Sequence, residues 1–320
     1  MLNHNQSYDA FIGELRKKIP KNPVLVNMLT TILCLEKEAI YRRLRQDVPF
    51  SFYEIVIISK KFGISLDNIV GIATESSIPL QLRTPDFINP QEVDYSLLNA
   101  YTNFLKTLRG CKTTEAAMIT NTIPYELFSA YPYLVQYNIF DWQAHCCKEH
   151  PKPFHELSFP DRIVNEFQRL SAETKYIPAC FVFDKYIFRR LVNTIHYFSS
   201  IRLIEKASIL KIKNDLLQMI DYIEDMAVNG VFRETACRVN LYISDMDITT
   251  NYAYIVADNY KLSFFRAFLL TSATSVDEHF FEKVKNRVQS FIRTSTLITI
   301  TNEKQRILYF EKQRKIVNEL

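Results

Sequence analysis

Apolar residues in the first part of the chain recur every three or four positions, which is the spacing of helices that bury one face. This pattern predicts five short helices over residues 7–71. Proline is tolerated at a helix start and glycine favours a left-handed stop, so Pro23 and Gly63 mark boundaries. The five predicted helices are marked, in order, by Ser7 as a cap with Phe11, Leu15 and Ile19; by Asn22-Pro23 with Leu25, Met28, Leu29 and Ile32; by Glu36–Gln46; by Ser51 with Phe52, Ile55, Ile58 and Phe62; and by Ser65 with Leu66, Ile69 and Val70.

The periodicity disappears between Ile72 and Gln91, where serine and proline accumulate. Such composition is typical of a linker. We therefore expect an N-terminal domain over 1–72, a linker over 73–91 and a larger domain over 92–320.

The larger region mixes both periodicities. Helical patterns cover the segment from Tyr95 to Leu108, which ends at Gly110, and about 124–147, 160–174, 184–204, 206–229, 276–293 and 302–319. Strand-like runs are Ala117–Thr120, Val239–Ile243, Tyr252–Val256, Leu262–Phe268 and Leu297–Ile300, with Asp258-Asn259 as a hairpin turn. The predicted fold is an all-α five-helix N-terminal domain followed by a larger mixed α/β (α+β), helix-rich domain.

Composition and charge narrow the function. The 320 residues are 48% apolar and 23% charged, the balance of a soluble globular protein. The formal charge is only +4, but residues 1–72 hold ten basic against seven acidic residues, a net +3. The six cysteines show no disulfide framework, and neither a signal peptide nor a membrane span is apparent. We expect a cytoplasmic protein whose positive charge lies mainly in its first quarter.

The segment Glu36–Arg45 carries the strongest functional signal. Ile40 and Leu44 are four residues apart and therefore share one face of a helix, which leaves the basic residues on the other side. Together with the flanking helices, this segment resembles the Cro/repressor-like (XRE-type) helix-turn-helix family of bacterial and phage regulators over residues 7–71. The sequence departs from the family at Cys34, where glycine is common in the turn, and at Glu36, where a Ser or Thr cap is usual.

The resemblance implies that helix 36–46 enters the major groove of double-stranded DNA, with Ile40 and Leu44 as its anchors. Lys37 and Arg42 would meet guanine edges or phosphates, and Tyr41 a thymine methyl or a phosphate. Glu38 would accept from a cytosine amino group. Arg43 and Arg45 would meet backbone phosphates. The implied DNA-binding residues are Lys37, Glu38, Tyr41, Arg42, Arg43 and Arg45.

We expect a bacterial-type transcriptional regulator that acts as a homodimer and has no membrane partner. Whether it responds to a small-molecule or protein effector is left open. The helix at 206–229 spaces Ile209, Ile212, Leu216, Met219, Ile223 and Met226 as in a coiled-coil seam. Because Leu210, Leu217 and Ile220 broaden this stripe, packing in the domain core is the preferred interpretation over a dimer seam. Two alternatives remain: a protein-interaction bundle whose arginines are merely solvated, and an enzyme domain tethered to DNA.

Signals for catalysis or metal binding are weak. The chain has five glycines and neither a P-loop nor a dinucleotide fingerprint. Asp245 and Asp247 could be paired carboxylates, but surface turns commonly carry such residues. His145, Cys146, Cys147, His150 and His155 lack a second ligand pair for a structural zinc site. The basic residues of the last helix, Lys304, Arg306, Lys312, Arg314 and Lys315, are offset by glutamates and best fit a solvated face. We predict no catalytic residues, no metal and no cofactor.

Overall fold

The computed structural model describes residues 4–64, 66, 69, 80–83, 92–146, 151–258, 260–268 and 271–320. The chain divides into two compact units, Met1–Leu80 and Gln81–Leu320. Each unit has its own apolar core.

The first unit contains helices α1 (His4–Lys18), α2 (Asn22–Leu33), α3 (Lys37–Leu44) and α4 (Phe52–Phe62). Ser51 caps α4 in a reciprocal capping box with Glu54, and Gly63 ends it at φ +63°. Buried side chains from all four helices and from Phe50 form the core, including Phe11, Leu15, Leu25, Leu29, Ile40, Leu44 and Ile58.

Two helix boundaries of this unit differ from the sequence prediction, and one predicted helix is largely outside the residues that the structure describes. Helix α1 begins at His4, so Ser7 lies inside the helix and is not its cap. Helix α3 ends at Leu44, two residues before the predicted Gln46. The predicted fifth helix, with Ser65 and Val70, lies largely outside the described residues.

The second unit is α+β and rich in helices. Its elements are β1 (Gln81–Arg83), α5 (Glu92–Leu108), β2 (Thr114–Thr120), α6 (Tyr125–Phe128), α7 (Pro132–Cys146), a 3-10 turn (Phe154–Glu156), α8 (Asp161–Thr174), β3 (Ala179–Asp184), α9 (Ile187–Ser200), α10 (Lys206–Asn229), β4 (Val239–Ser244), β5 (Asn251–Ala257), β6 (Tyr260–Phe268), β7 (Thr271–Ser275), α11 (Glu278–Thr294), β8 (Thr296–Leu297) and α12 (Glu303–Asn318). The described strands form one mixed sheet of 8 strands in the order β1-β7-β6-β5-β2-β3-β4-β8.

Strands β2, β3 and β4 are parallel neighbours, and the other neighbouring strands are antiparallel. Alternate residues enter different cores: Met118 joins the larger core, whereas Ile119 packs with Phe281 and Val288 of α11. The sheet is therefore covered on both faces, as parallel strands require.

Several strands escaped the sequence analysis for identifiable reasons. Strand β3 (ACFVFD) is a nearly continuous apolar run with no polar alternation, which periodicity alone does not distinguish from a buried helix. Strand β1 lies inside the predicted linker and pairs with the Ser/Thr-rich β7. The predicted strand Leu297–Ile300 stops early, because the Thr299 hydroxyl accepts the Leu241 N–H at 2.6 Å where a backbone carbonyl would otherwise serve.

The predicted helix at 124–147 is two helices, α6 and α7. Proline lacks an amide hydrogen and is accommodated at a helix start, and Pro132 begins the second of them. Helix α10 has the predicted bounds and ends at Gly230, whose φ of +71° suits glycine.

The apolar stripe of α10 packs inside the unit. Leu216 and Ile223 are 0% and 1% exposed and belong to the large core. Leu210, counted as part of the stripe from sequence, is 62% exposed instead. The core interpretation of this helix is therefore confirmed, and its stripe is not available as a dimer seam.

Candidate nucleic-acid interface

Helices α2 and α3 are joined by a tight turn at the position where the helix-turn-helix resemblance requires one. Cys34 follows α2 in the left-handed conformation, at φ +53° and ψ +40°. Glu36 then takes an extended conformation as the N-cap of α3, without a side-chain capping bond. The two departures from the family pattern are thus accommodated by backbone geometry, with Cys34 in a conformation that costs an L-residue about 1–2 kcal/mol.

One face of α3 is anchored in the core of the first unit. Ile40 is 0% and Leu44 is 3% exposed. Arg16 of α1 donates to the Leu44 carbonyl at 3.1 Å, which satisfies an acceptor at the C-terminal end of the helix. The orientation of α3 is therefore fixed by apolar packing and by a cation at its end.

The opposite face of α3 presents polar side chains to solvent. Lys37, Glu38 and Arg42 are exposed, and Tyr41 is half-buried against the core. Lys37 and Arg42 form no ion pair with any described residue. Neither cation therefore has to break an ion pair with a described residue before it binds an external anion.

Arg45 follows α3 and forms solvent-exposed ion pairs with two carboxylates. Its guanidinium donates to Asp47 at 3.1 Å and to Glu38 at 3.3 Å, and these hydrogen bonds raise its pKa. All three side chains are about half exposed or more, so the pairs contribute little to stability. Arg45 is therefore able to exchange these carboxylates for another anion at little cost.

Arg43 has a different role from its neighbours. Its Nε and Nη2 donate to the two carboxylate oxygens of Glu54 on α4 at 3.1 and 3.0 Å, and Nη1 donates to the Ala39 carbonyl at 3.3 Å. The side chain is 19% exposed and lies 5.9 Å from the centre of the Phe50 ring. Arg43 ties α3 to α4, so its guanidinium is occupied within the first unit and, contrary to the sequence prediction, is not free to contact a phosphate.

Tyr8 and Glu54 were missed from sequence although both shape this surface. The Tyr8 hydroxyl donates to the Arg43 carbonyl and accepts the Phe50 N–H at 2.8 Å, which fixes the segment after α3. Glu54 accepts the Ser51 N–H at 2.7 Å as well as Arg43. The Ser-x-x-Glu spacing of a capping box was the available signal for Glu54.

The other residues considered for metal binding or catalysis do not form a site among the described residues. Within the described parts of the chain, no three His, Cys, Asp or Glu side chains gather closely enough to hold a metal ion. The His145 Nδ1 lies 2.7 Å from the Asp141 carbonyl, while Cys147 and His150 are outside the described residues. Asp245 is exposed and pairs with Lys185 at 3.5 Å.

The prediction that the basic residues of α12 form a solvated face is wrong for Arg306. Arg306 is only 6% exposed and donates to two backbone carbonyls, those of Ile298 and Thr301. Arg314 pairs with Asp221 and Glu224 of α10. Ile307 of the same helix is 44% exposed. Helix α12 therefore contributes arginines to the structure of its own unit.

None of the helices that the structure describes is long and apolar enough to cross a membrane. The chain matches no protein-family model, no curated protein and no solved structure at a significant level.

Proposed function

We propose that the protein is a sequence-specific DNA-binding transcriptional regulator of the bacterial type that docks α3 in the major groove. The observation that carries this proposal is the division of α3 into two faces. Ile40 and Leu44 are buried, while Lys37 and Arg42 are exposed and have no ionic partner among the described residues. Helix α3 with its side chains is about 10–12 Å across, which matches the roughly 12 Å width of the major groove.

The proposed contacts follow from side-chain chemistry. Arg42 and Lys37 donate to guanine edges or phosphates, Tyr41 contacts a thymine methyl or a phosphate, and Glu38 accepts from a cytosine amino group. Arg45 leaves Asp47 and Glu38 and binds a phosphate. Since Arg45 and Glu38 are paired in the free protein, docking releases both side chains for different groups on the DNA.

The proposal includes a cytoplasmic location and a homodimer on a two-fold symmetric operator. The α10 stripe is not its interface, because that stripe is buried within one chain. No catalytic step is part of this function, and the second unit serves sensing or assembly.

The test is fluorescence anisotropy of labelled duplex DNA with the full chain over a range of salt concentrations. Each phosphate contact adds about 0.9 to the slope of log affinity against log salt. Arg42→Ala and Lys37→Ala are expected to weaken binding at least tenfold. Arg293→Ala, an equal charge change at an exposed residue of α11, is the matched control and is expected to change affinity less than twofold. Equal effects of all three variants would refute docking by α3.

A second candidate function is a protein-interaction module. Phe52 and Tyr53 are adjacent at the start of α4 and are 78% and 75% exposed, and exposed aromatic side chains are common at protein interfaces. This alternative predicts that Phe52→Ala with Tyr53→Ala abolishes partner capture from a lysate, while Arg42→Ala has no effect on it. Loss of DNA affinity in Arg42→Ala alone would favour the first proposal.

A further inference from the structure

A groove of about 510 Å³ lies on the surface of the second unit. This volume is within the range of small-molecule sites. Four parts of the chain build it: the turn from α6 to α7, the end of α8, one side of α10, and the loop after α10. These parts are far apart in sequence, so the groove exists only in the folded unit.

One end of the groove is an aromatic and acidic corner. The Tyr222 hydroxyl donates to Glu234 at 2.9 Å, and burial raises the pKa of Tyr222, so its ring is a neutral phenol at pH 7. Two cations of the chain occupy this corner: Lys175 Nζ lies 4.9 Å, and the Arg233 guanidinium 5.1 Å, from the centre of the Tyr222 ring. The corner thus already binds cations through a ring face and a carboxylate.

The two cations are not held equally. Lys175 donates to Glu234 at 2.7 Å and its side chain is 15% exposed. Arg233 approaches Glu234 only to 3.6 Å, and its side chain is 65% exposed. Arg233 is therefore a loosely held guanidinium in a position that suits an external cation.

The rest of the groove offers negative charge along α10. Asp225 accepts a hydrogen bond from Asn229 at 2.9 Å and has no cationic partner among the described residues. Asp221, four residues earlier, pairs with Arg314 through one carboxylate oxygen. Tyr131 also lines this wall. Burial raises its pKa to about 12, so its side chain is a neutral phenol at pH 7.

We infer that this groove binds a linear organic di- or polyamine, one ammonium replacing Arg233 at Tyr222 and Glu234 and another pairing with Asp225. Two features select this class. A neutral or anionic ligand would leave Asp225 without a cationic partner among the described residues, and a monoamine would reach only one of the two positions, Glu234 or Asp225. The aromatic rings of Tyr131 and Tyr222 contact the alkyl chain between the charges. This inference does not rest on the proposed DNA-binding function, because every lining residue of the groove belongs to the second unit.

The experiment is isothermal titration calorimetry of the full chain at physiological salt with about 5 mM MgCl₂. These ions screen weak, non-specific attraction between the amines and exposed carboxylates. The probes are putrescine, spermidine and butylamine, without DNA. Putrescine is expected to bind at least tenfold more tightly than butylamine. Absence of saturable diamine binding, or equal affinity for diamine and monoamine, would overturn the inference.

Variants separate the groove from general attraction to an acidic surface. Asp225→Asn is expected to weaken putrescine binding about tenfold. Asp245→Asn makes the same charge change at an exposed residue outside the groove and is expected to alter affinity less than twofold. Arg233→Ala is expected to strengthen binding several-fold, because it removes the competing cation. Weaker binding in Arg233→Ala, or equal effects of the two Asp→Asn variants, would contradict the assigned site.

Discussion

Adjacent arginines of α3 have opposite roles, and this contrast allows a strict test of the structure. Arg43→Ala removes a bidentate ion pair to Glu54 and a bond to the Ala39 carbonyl. Arg42→Ala removes an exposed side chain that has no ionic partner in the part of the chain that the structure describes. The first change should destabilise the first unit, whereas the second should leave its stability unchanged.

The magnitude follows from exposure. Exposed ion pairs contribute about 0–1 kcal/mol, and breaking a buried one costs about 3–5 kcal/mol. The Arg43 and Glu54 side chains are 19% and 14% exposed, and Glu54 keeps its bond from the Ser51 N–H. We therefore expect Arg43→Ala to cost about 2 kcal/mol of unfolding free energy, between those limits. Arg42→Ala should stay within about 0.5 kcal/mol.

Hydrogen exchange measured by mass spectrometry on the full chain is the appropriate assay, because it reports on peptides of α3 and α4 separately from the second unit. A loss of 2 kcal/mol corresponds to about 30-fold faster exchange of the most protected amides. If Arg43→Ala and Arg42→Ala exchange alike, Arg43 does not tie α3 to α4 and would be free to contact DNA.

Three further predictions concern backbone conformation and pH. Cys34→Gly should relieve the left-handed strain and, after the entropy cost of glycine, raise stability by about 0.5 kcal/mol in thermal unfolding; a loss of stability would contradict this. Gly230→Ala should cost about 2 kcal/mol, since its Cβ would lie 2.6 Å from Ile300 Cδ1 at a φ of +71°. Adding Ile300→Ala should recover part of that loss in urea unfolding, and no recovery would exclude the steric cause. Burial raises the pKa of Glu54, but the hydrogen bonds from Arg43 and Ser51 and the charge of Arg43 together outweigh it and lower this pKa below its ordinary value of 4.5. The stabilising contribution of Glu54 is therefore present above pH 4.5 and is lost as pH falls through the folded-state pKa. Circular dichroism should show this acid sensitivity reduced in Glu54→Gln.

Local sequence signals predicted much of the framework. Helix α10 was predicted with its observed bounds because its apolar stripe is long, and in the structure it ends at Gly230. Strand β3 was not predicted, because both of its faces are buried and its sequence carries no period-two alternation. The end of β8 depends on the Thr299 side chain bonding to Leu241, a residue distant in sequence.

The sequence predicted the parts of the candidate sites that depend on local helical spacing, and it did not predict the parts that depend on residues distant in sequence. The exposed residues of α3 follow from helical phase around Ile40 and Leu44. Phase alone does not distinguish Arg42 from Arg43, because the difference comes from Glu54, a residue of another helix. The groove beside α10 combines four separated segments and has no local sequence pattern.

The most direct test of DNA docking by α3 is selection of bound duplexes from a random double-stranded library by the intact protein. We predict enrichment of one motif with two half-sites about 10 base pairs apart, or a multiple of that spacing. The Lys37→Ala/Arg42→Ala variant should fold normally and lose this enrichment. Recovery of no motif by the intact protein, or of the same motif by the variant, would contradict docking by α3.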